Sequence, residues 1–452
     1  MSEAAKLTRG SIRGHLVSQT LPTIIGVAAI MSIGLVDSYY IGQLGSDQLA
    51  AIAFVFPIAM AMGSLGVGVM VGINSIVARA LGEGDQDKAA RRANLGFAVA
   101  IAFGIVAGLL IFALIDPLFA LLQAPENLRP IIATYMRPFA LGFPLQLAIM
   151  GINGMLRGQG EARKTSYVAI TYAAGNWILD PILITGAFGF SGFGIVGAAY
   201  ASLLGWGMGI VMGLVLIRHT ALPLNPRLLL EGNLREPMTA MMRTAAPAAF
   251  SNSINPIGLS VLTALIASHG PEAIAGFGAA GRVQSFALVP LLALSGSIGA
   301  IVGQNWGANR KDRSREAILY AGIFCIAYGL VTACVLAFGG WWFADLFTDD
   351  PAVMAQFVAY LQIAAWGYAG FGLLIVANGA LNAIDKASFA LAQSGGRVFL
   401  IMLPAAWLLQ PQIGANGIYS AELIANLLGG LVAAVIVWKL LGRDQLGQSG
   451  PR

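Results

Sequence analysis

Residues 21–44 read LPTIIGVAAIMSIGLVDSYYIGQL. That run is long enough to cross a bilayer, whose hydrocarbon core takes about 20 residues of helix. One carboxylate, Asp37, stands inside it. An ionisable group at membrane depth costs several kcal/mol unless solvated or paired, and such groups mark ion and substrate pathways. The other reading places Asp37 near the end of the span, where it meets headgroups or water.

A second apolar segment holds Asn176-Trp177-Ile178-Leu179-Asp180-Pro181. Asn176 and Asp180 are four residues apart, so on a helix they share a face. Pro181 has no N–H and crowds the preceding turn, which loosens the carbonyls upstream. Two carboxylates, an amide and loosened carbonyls make an oxygen-rich set that suits a proton or a hard cation. Alternatively, Asn176 joins helices and Asp180 caps a helix broken at Pro181. That two unrelated spans each keep an expensive acid favours a shared cation site.

The rest of the composition agrees with a membrane. Only 10% of residues are charged, 57% are hydrophobic and the mean hydropathy is +0.77, whereas about a quarter of a soluble chain is charged. The chain is therefore read as an all-α polytopic membrane protein. Cys325 and Cys334 lie in one apolar segment and offer no ligand cluster, and His15, His219 and His269 are far apart. The N-terminal MSEAAKLTRGSIRGHLVSQT lacks the short apolar core and small-residue cleavage site of a secretory signal, so it is expected to stay on the mature chain.

Apolar runs mark twelve spans, near 15–42, 49–78, 93–122, 129–157, 165–188, 194–218, 238–268, 274–306, 316–347, 352–383, 389–411 and 416–441. Of the 26 basic residues, all but Arg129, Arg137 and Arg282 fall in alternate connections or at the termini, from Lys6, Arg9 and Arg13 to Lys386 with Arg397 and finally Lys439, Arg443 and Arg452. Cytoplasmic loops hold the excess of Lys and Arg. This alternation predicts both termini in the cytoplasm and a multi-pass protein of the cell inner membrane. The net charge of +5 thus reports orientation, and no nucleic-acid partner is expected.

The basic interval 219–237 divides the chain into a first lobe, 15–218, and a second, 238–441. Sliding the sequence on itself by 225 places Pro22 on Pro247, Tyr135 on Tyr360, Gly142 on Gly367 and Asn153-Gly154 on Asn378-Gly379; at 220, Gly194 and Gly197 meet Gly414 and Gly417. A six-span unit has been duplicated. Because six is even, the copies run in parallel, as in transporters that rock two bundles about a midplane cavity. Asp37 and Asp180 have no acidic counterpart in the second copy, which confines the candidate cation site to the first.

The chain resembles the multidrug and toxic compound extrusion (MATE) family over nearly its whole length. Pro22 with Asp37, Gly82-Glu83-Gly84-Asp85, the run Asn153 to Gly160, Asn176 with Asp180, and Val302 to Asn309 carry the resemblance. It implies a V-shaped pair of six-helix lobes that exports cationic or amphipathic compounds in exchange for H⁺ or Na⁺, with the cation held at Asp37, Asn176 and Asp180. Asn255 stands near a seventh-span position where NorM-like members have an acid, and residues 352–383 contain none. That departure makes the chain more similar to the DinF-like branch.

Two acids facing one cavity cannot both be charged cheaply, so one is expected to hold a proton. Cation uptake would bend the first span near Pro22 and displace cargo. Arg282 and Gln284, inside the eighth span, either line the substrate cavity or anchor packing. Asn153 lines the first-lobe cavity or shares a structural role with Asn378. Glu422 is a further acid within a span, with no motif to interpret it. No P-loop is present, which argues against an ATP-driven pump, and no motif for an enzyme or a bound cofactor appears. The expected partners are a small organic substrate and membrane lipid, with the chain acting as a monomer. The rival reading is a flippase for a lipid-linked saccharide, which would need a basic groove.

Overall fold

Ten helices of the computed structural model are long and apolar enough to cross a membrane, and two bent pairs bring the number to twelve if each pair is one span. The structure describes residues 5–187, 189, 191–229 and 234–443; part of the linker and Arg452 therefore lie outside the described residues. No strand occurs among them. In order, the spans are Ile12–Gly42, Ser46–Glu83, Gln86–Ala113, the pair Arg129–Leu141 and Phe143–Gly158, Ala162–Thr185 and Ile195–Arg218. Then come Arg235–Ala267, the pair Pro271–Ala287 and Val289–Gly307, Lys311–Asp345, Pro351–Ala383, Ala387–Ile413 and Ala415–Leu441. The pairs bend by 45° and 43°. Pro144 and Pro290 open the second helix of each pair, where the missing N–H breaks the hydrogen-bond ladder.

The duplication is written in the backbone. The fourth span breaks at Gly142 and the tenth tightens into a 3₁₀ turn ending at Gly367, its counterpart. Gly194 and Gly414 share one conformation, φ 63° with ψ −141° and φ 62° with ψ −141°, which a residue with a Cβ rarely adopts. The second glycine of each Asn-Gly pair allows close helix contact: a Cβ on Gly154 would stand 2.8 Å from the Met70 carbonyl oxygen, and one on Gly379 2.5 Å from that of Ser295.

Among the described residues two compact units result, one taking Ala5, Lys6 and Leu21–Ala249, the other Leu7–Thr20 and 250–443. Residues 238–249 thus group with the first unit and 7–20 with the second, so each unit includes part of a span that the linker boundary would assign elsewhere. Local bonds explain both. In the first unit Arg92 pairs with Glu236 at 2.7 Å just ahead of residues 238–249, and the Ala245 carbonyl oxygen would stand 2.6 Å from a Cβ on Gly68. In the second, Gln304 accepts from the Leu7 amide at 3.0 Å and Asn305 donates to the Leu7 carbonyl at 3.1 Å. Arg310 and Arg313 hold the Thr8 and Gly10 carbonyls.

Arg397 corrects the reading of the loops. It sits inside the eleventh span, 5% exposed, where it donates to Asn426 and Asn255.

Candidate cation site

The fifth span is an α-helix over Ala162–Asp180 that widens into a π turn over Pro181–Thr185. A proline at the first wide position, unable to donate, accounts for the switch. The carbonyls exposed by the widening are used locally: Leu183 accepts from Phe193 N–H at 2.7 Å, Ile184 from Gly194 N–H at 3.1 Å and Pro181 from the Thr185 hydroxyl at 2.9 Å.

Asn176 and Asp180, one turn apart, are both fully buried. Neither amide atom of Asn176 and neither carboxyl oxygen of Asp180 has a hydrogen-bond partner among the described residues, and the same holds for Asp37 Oδ1. Asp37, half-buried on the first span, stands within electrostatic range of Asp180. Their oxygens approach without a well-formed hydrogen bond between them. The first and fifth spans hold this register through a hydrogen bond from Ser166 Oγ to the Pro22 carbonyl and an apolar contact of Ala29 and Ile33 with Ala173.

Leaving a buried polar group unpaired costs about 1–3 kcal/mol, and such groups in a native structure call for an explanation. The orphaned atoms are oxygens of two carboxyls together with both ends of one amide, whose Nδ2 is a donor and whose Oδ1 is an acceptor. Tyr135 and Tyr172 stand in electrostatic range of both acids. Beyond them, Tyr135 stacks on Phe139, and Trp206 packs against Phe139 and Tyr172 at 5.4 and 6.4 Å between centroids. Sequence reasoning matched Tyr135 to Tyr360 without assigning either to a site; an aromatic hydroxyl repeated within apolar spans was the available signal.

The remaining candidates fall elsewhere. Asn153 is buried in the fourth span, and its Oδ1 has no partner among the described residues. Arg282 is exposed, whereas Gln284, two residues on, is bound within the second unit to Glu422 and Tyr360 at 2.8 Å each.

Known proteins agree with this architecture. The MatE family model matches residues 22–182 and 247–408, once in each copy. A FAD transporter of Shewanella oneidensis is 33% identical over 445 residues, covering 97% of either chain. A probable multidrug resistance protein NorM of Deinococcus radiodurans is 28% identical, covering 95% of each. The crystal structure of the Vibrio cholerae MATE transporter VcmN in the bent form superposes with a TM-score of 0.91 at 28% identity, over 98% of this chain and 99% of that one. The chain belongs to the MATE family and is a multi-pass membrane transporter.

Proposed function

We propose that this protein is a secondary antiporter that exports a small amphipathic organic compound in exchange for H⁺ or Na⁺ held by Asp37, Asn176 and Asp180. The observation that supports the reading is Asp37 within electrostatic range of the fully buried Asp180, with Asn176 one turn away on the same helix and the orphaned atoms of all three without a protein partner among the described residues. With both carboxyls ionised, mutual repulsion and desolvation raise the energy of the site. A proton on one acid, or Na⁺ shared by both with the Asn176 carbonyl as a further ligand, relieves it. A cationic cargo relieves it in the same way, so ion and cargo compete. The aromatic group around Trp206 supplies apolar and cation–π contact for the organic part.

Pro22 is the joint through which occupancy is transmitted. Its ring leaves the Ser18 carbonyl without its usual helical donor, and its own carbonyl is braced by Ser166. A shift of Asp37 on cation uptake would strain that brace and bend the first span.

MATE transporters carry small organic substrates. The FAD-transporting relative favours a second reading of the cargo, a flavin dinucleotide, whose isoalloxazine ring suits the same aromatic group. A lipid-linked saccharide fits less well, because the charge at the first-unit site is acidic. We place the chain nearer the DinF-like branch, since Asn255 Oδ1 is engaged by Arg397 and the tenth span has no acid. It works as a monomer in the inner membrane with both termini cytoplasmic and without a resident cofactor.

The test is export from liposomes reconstituted with the wild-type protein, loaded with ethidium or FAD, under an imposed pH or Na⁺ gradient. One gradient should drive export of at least one compound well above empty liposomes. Export of neither under either gradient would sink the proposal.

A further inference from the structure

The second unit carries a buried acid that the mechanism above does not use. Glu422, in the twelfth span, is 7% exposed. Gln284 Nε2 donates to Glu422 Oε1 at 2.8 Å. The Tyr360 hydroxyl lies 2.9 Å from Glu422 Oε2 and 2.8 Å from Gln284 Oε1. The three side chains close a ring of three contacts, each of which needs one proton. Gln284 supplies one, since its amide presents N–H on one side and C=O on the other, and the Tyr360 hydroxyl supplies one. The third has a single possible source, the carboxyl group itself. Turning the amide over changes which oxygen of Glu422 is protonated but leaves the count the same.

We propose that Glu422 carries a proton and, with Tyr360 and Gln284, forms a second proton-binding site, confined to the second unit. In the closed ring Gln284 donates to Glu422, Glu422 donates to Tyr360, and Tyr360 donates to Gln284. The surroundings favour the neutral acid. Phe277 meets Tyr360 edge-on at 5.0 Å, Tyr419 does so at 5.3 Å, and both aromatic neighbours are buried. A dry aromatic wall stabilises a neutral carboxyl over a charged one.

The site also has a second arrangement ready. Arg397 is the nearby cation, but its Nη atoms are engaged by Asn426 and Asn255, and no ion pair joins it to Glu422 among the described residues. The Tyr368 hydroxyl is buried, has no hydrogen-bond partner among the described residues and stands in electrostatic range of Glu422. Loss of the proton breaks the ring at one contact and leaves a charge that Arg397 and Tyr368 can take up. The repeat gives independent support. Tyr360 is the counterpart of Tyr135, which faces the acids of the first unit, so each unit sets one equivalent tyrosine against buried carboxyl chemistry. The acids come from different spans.

Infrared difference spectroscopy of the purified full chain, wild type minus variant at neutral pH, reads this directly and requires no transport. The wild type should show a protonated-carboxyl C=O band that Glu422→Gln removes and Asp37→Asn leaves in place. Glu422→Gln should melt close to the wild type, because its amide supplies the same donor to Tyr360. Should that variant fail to fold, Tyr360→Phe answers the question alone: it retains the acid but deletes its acceptor, so the band should shift. A protonated-carboxyl region unaltered by both variants, or by Tyr360→Phe when the other cannot be purified, shows Glu422 ionised at that pH and overturns the proposal.

Discussion

A Cβ placed on Gly26 of the first span would stand 3.3 Å from that of Ala169 on the fifth and 3.3 Å from the Ser166 Cα. The contact lies between the Pro22–Ser166 hydrogen bond and the acids, so it sets how closely Asp37 approaches Asp180. A methyl group needs only a shift of a few tenths of an ångström, whereas a branched side chain must wedge the helices apart. Gly26→Ala should keep most gradient-driven export. Gly26→Leu should lose it and unfold more easily in detergent by about 1–3 kcal/mol, the usual cost of overpacking. Wild-type export by Gly26→Leu would show that this close contact does not matter.

On the proposed reading the trio is destabilising when charged, and that has a measurable sign. In alkaline buffer, where both acids are most heavily ionised, Asp180→Asn should raise thermal stability by about 1–2 kcal/mol, because an uncompensated buried charge is removed. Asp37→Asn should act the same way. The double variant should gain less than the sum, since either change alone ends the repulsion. Additive gains, or losses from both single variants, would mean that the acids do not share a site.

Asn153 and Asn378 are equivalents in the repeat with different partners. Asn378 donates to Ser394 Oγ at 2.9 Å and accepts from Gln393, while Asn153 Oδ1 has no partner among the described residues. Asn378→Ala should therefore cost about 1–3 kcal/mol of stability, the penalty for orphaning buried partners. Asn153→Ala should cost clearly less. Detergent melting curves of the two variants decide the point, and equal losses would show that both asparagines are structural.

The N-terminal segment depends on Asn305, which donates to the Leu7 carbonyl and accepts from Arg313 Nε at 3.0 Å. Asn305→Ala should free that segment and speed trypsin cleavage at Arg9 several-fold relative to the wild type. Unchanged cleavage would show that Gln304 and Arg310 suffice to hold it.

These contacts also explain what the sequence could and could not reveal. Spans and duplication were readable because the bilayer imposes a length on every helix and because glycines such as Gly194 and Gly414 leave the same mark in both copies. Asp37 and Asp180 stood out because a charge in an apolar run is expensive wherever it points. Much of the Asn153–Gly160 and Val302–Asn309 signature turned out to fasten chain segments: Gln159 accepts from the Leu222 amide at 3.0 Å, and Gln304 from that of Leu7. The ring around Glu422 was not readable. Its partners are 62 and 138 residues away in sequence, so only the packed fold brings them together. The π turn after Asp180 was equally hidden, since Pro181 announces a disturbance but not its width.

Asp37→Asn offers the most direct test of the central claim, that occupancy of the first-unit acids by a small cation drives export. Everted vesicles containing equal amounts of correctly inserted wild-type and variant protein would be given the same ion gradient, and accumulation of the exported compound followed by fluorescence. The account predicts that the gradient-dependent rate falls at least about tenfold, the equivalent of 1.4 kcal/mol in the coupling step. A variant that keeps the wild-type gradient-driven rate would contradict it.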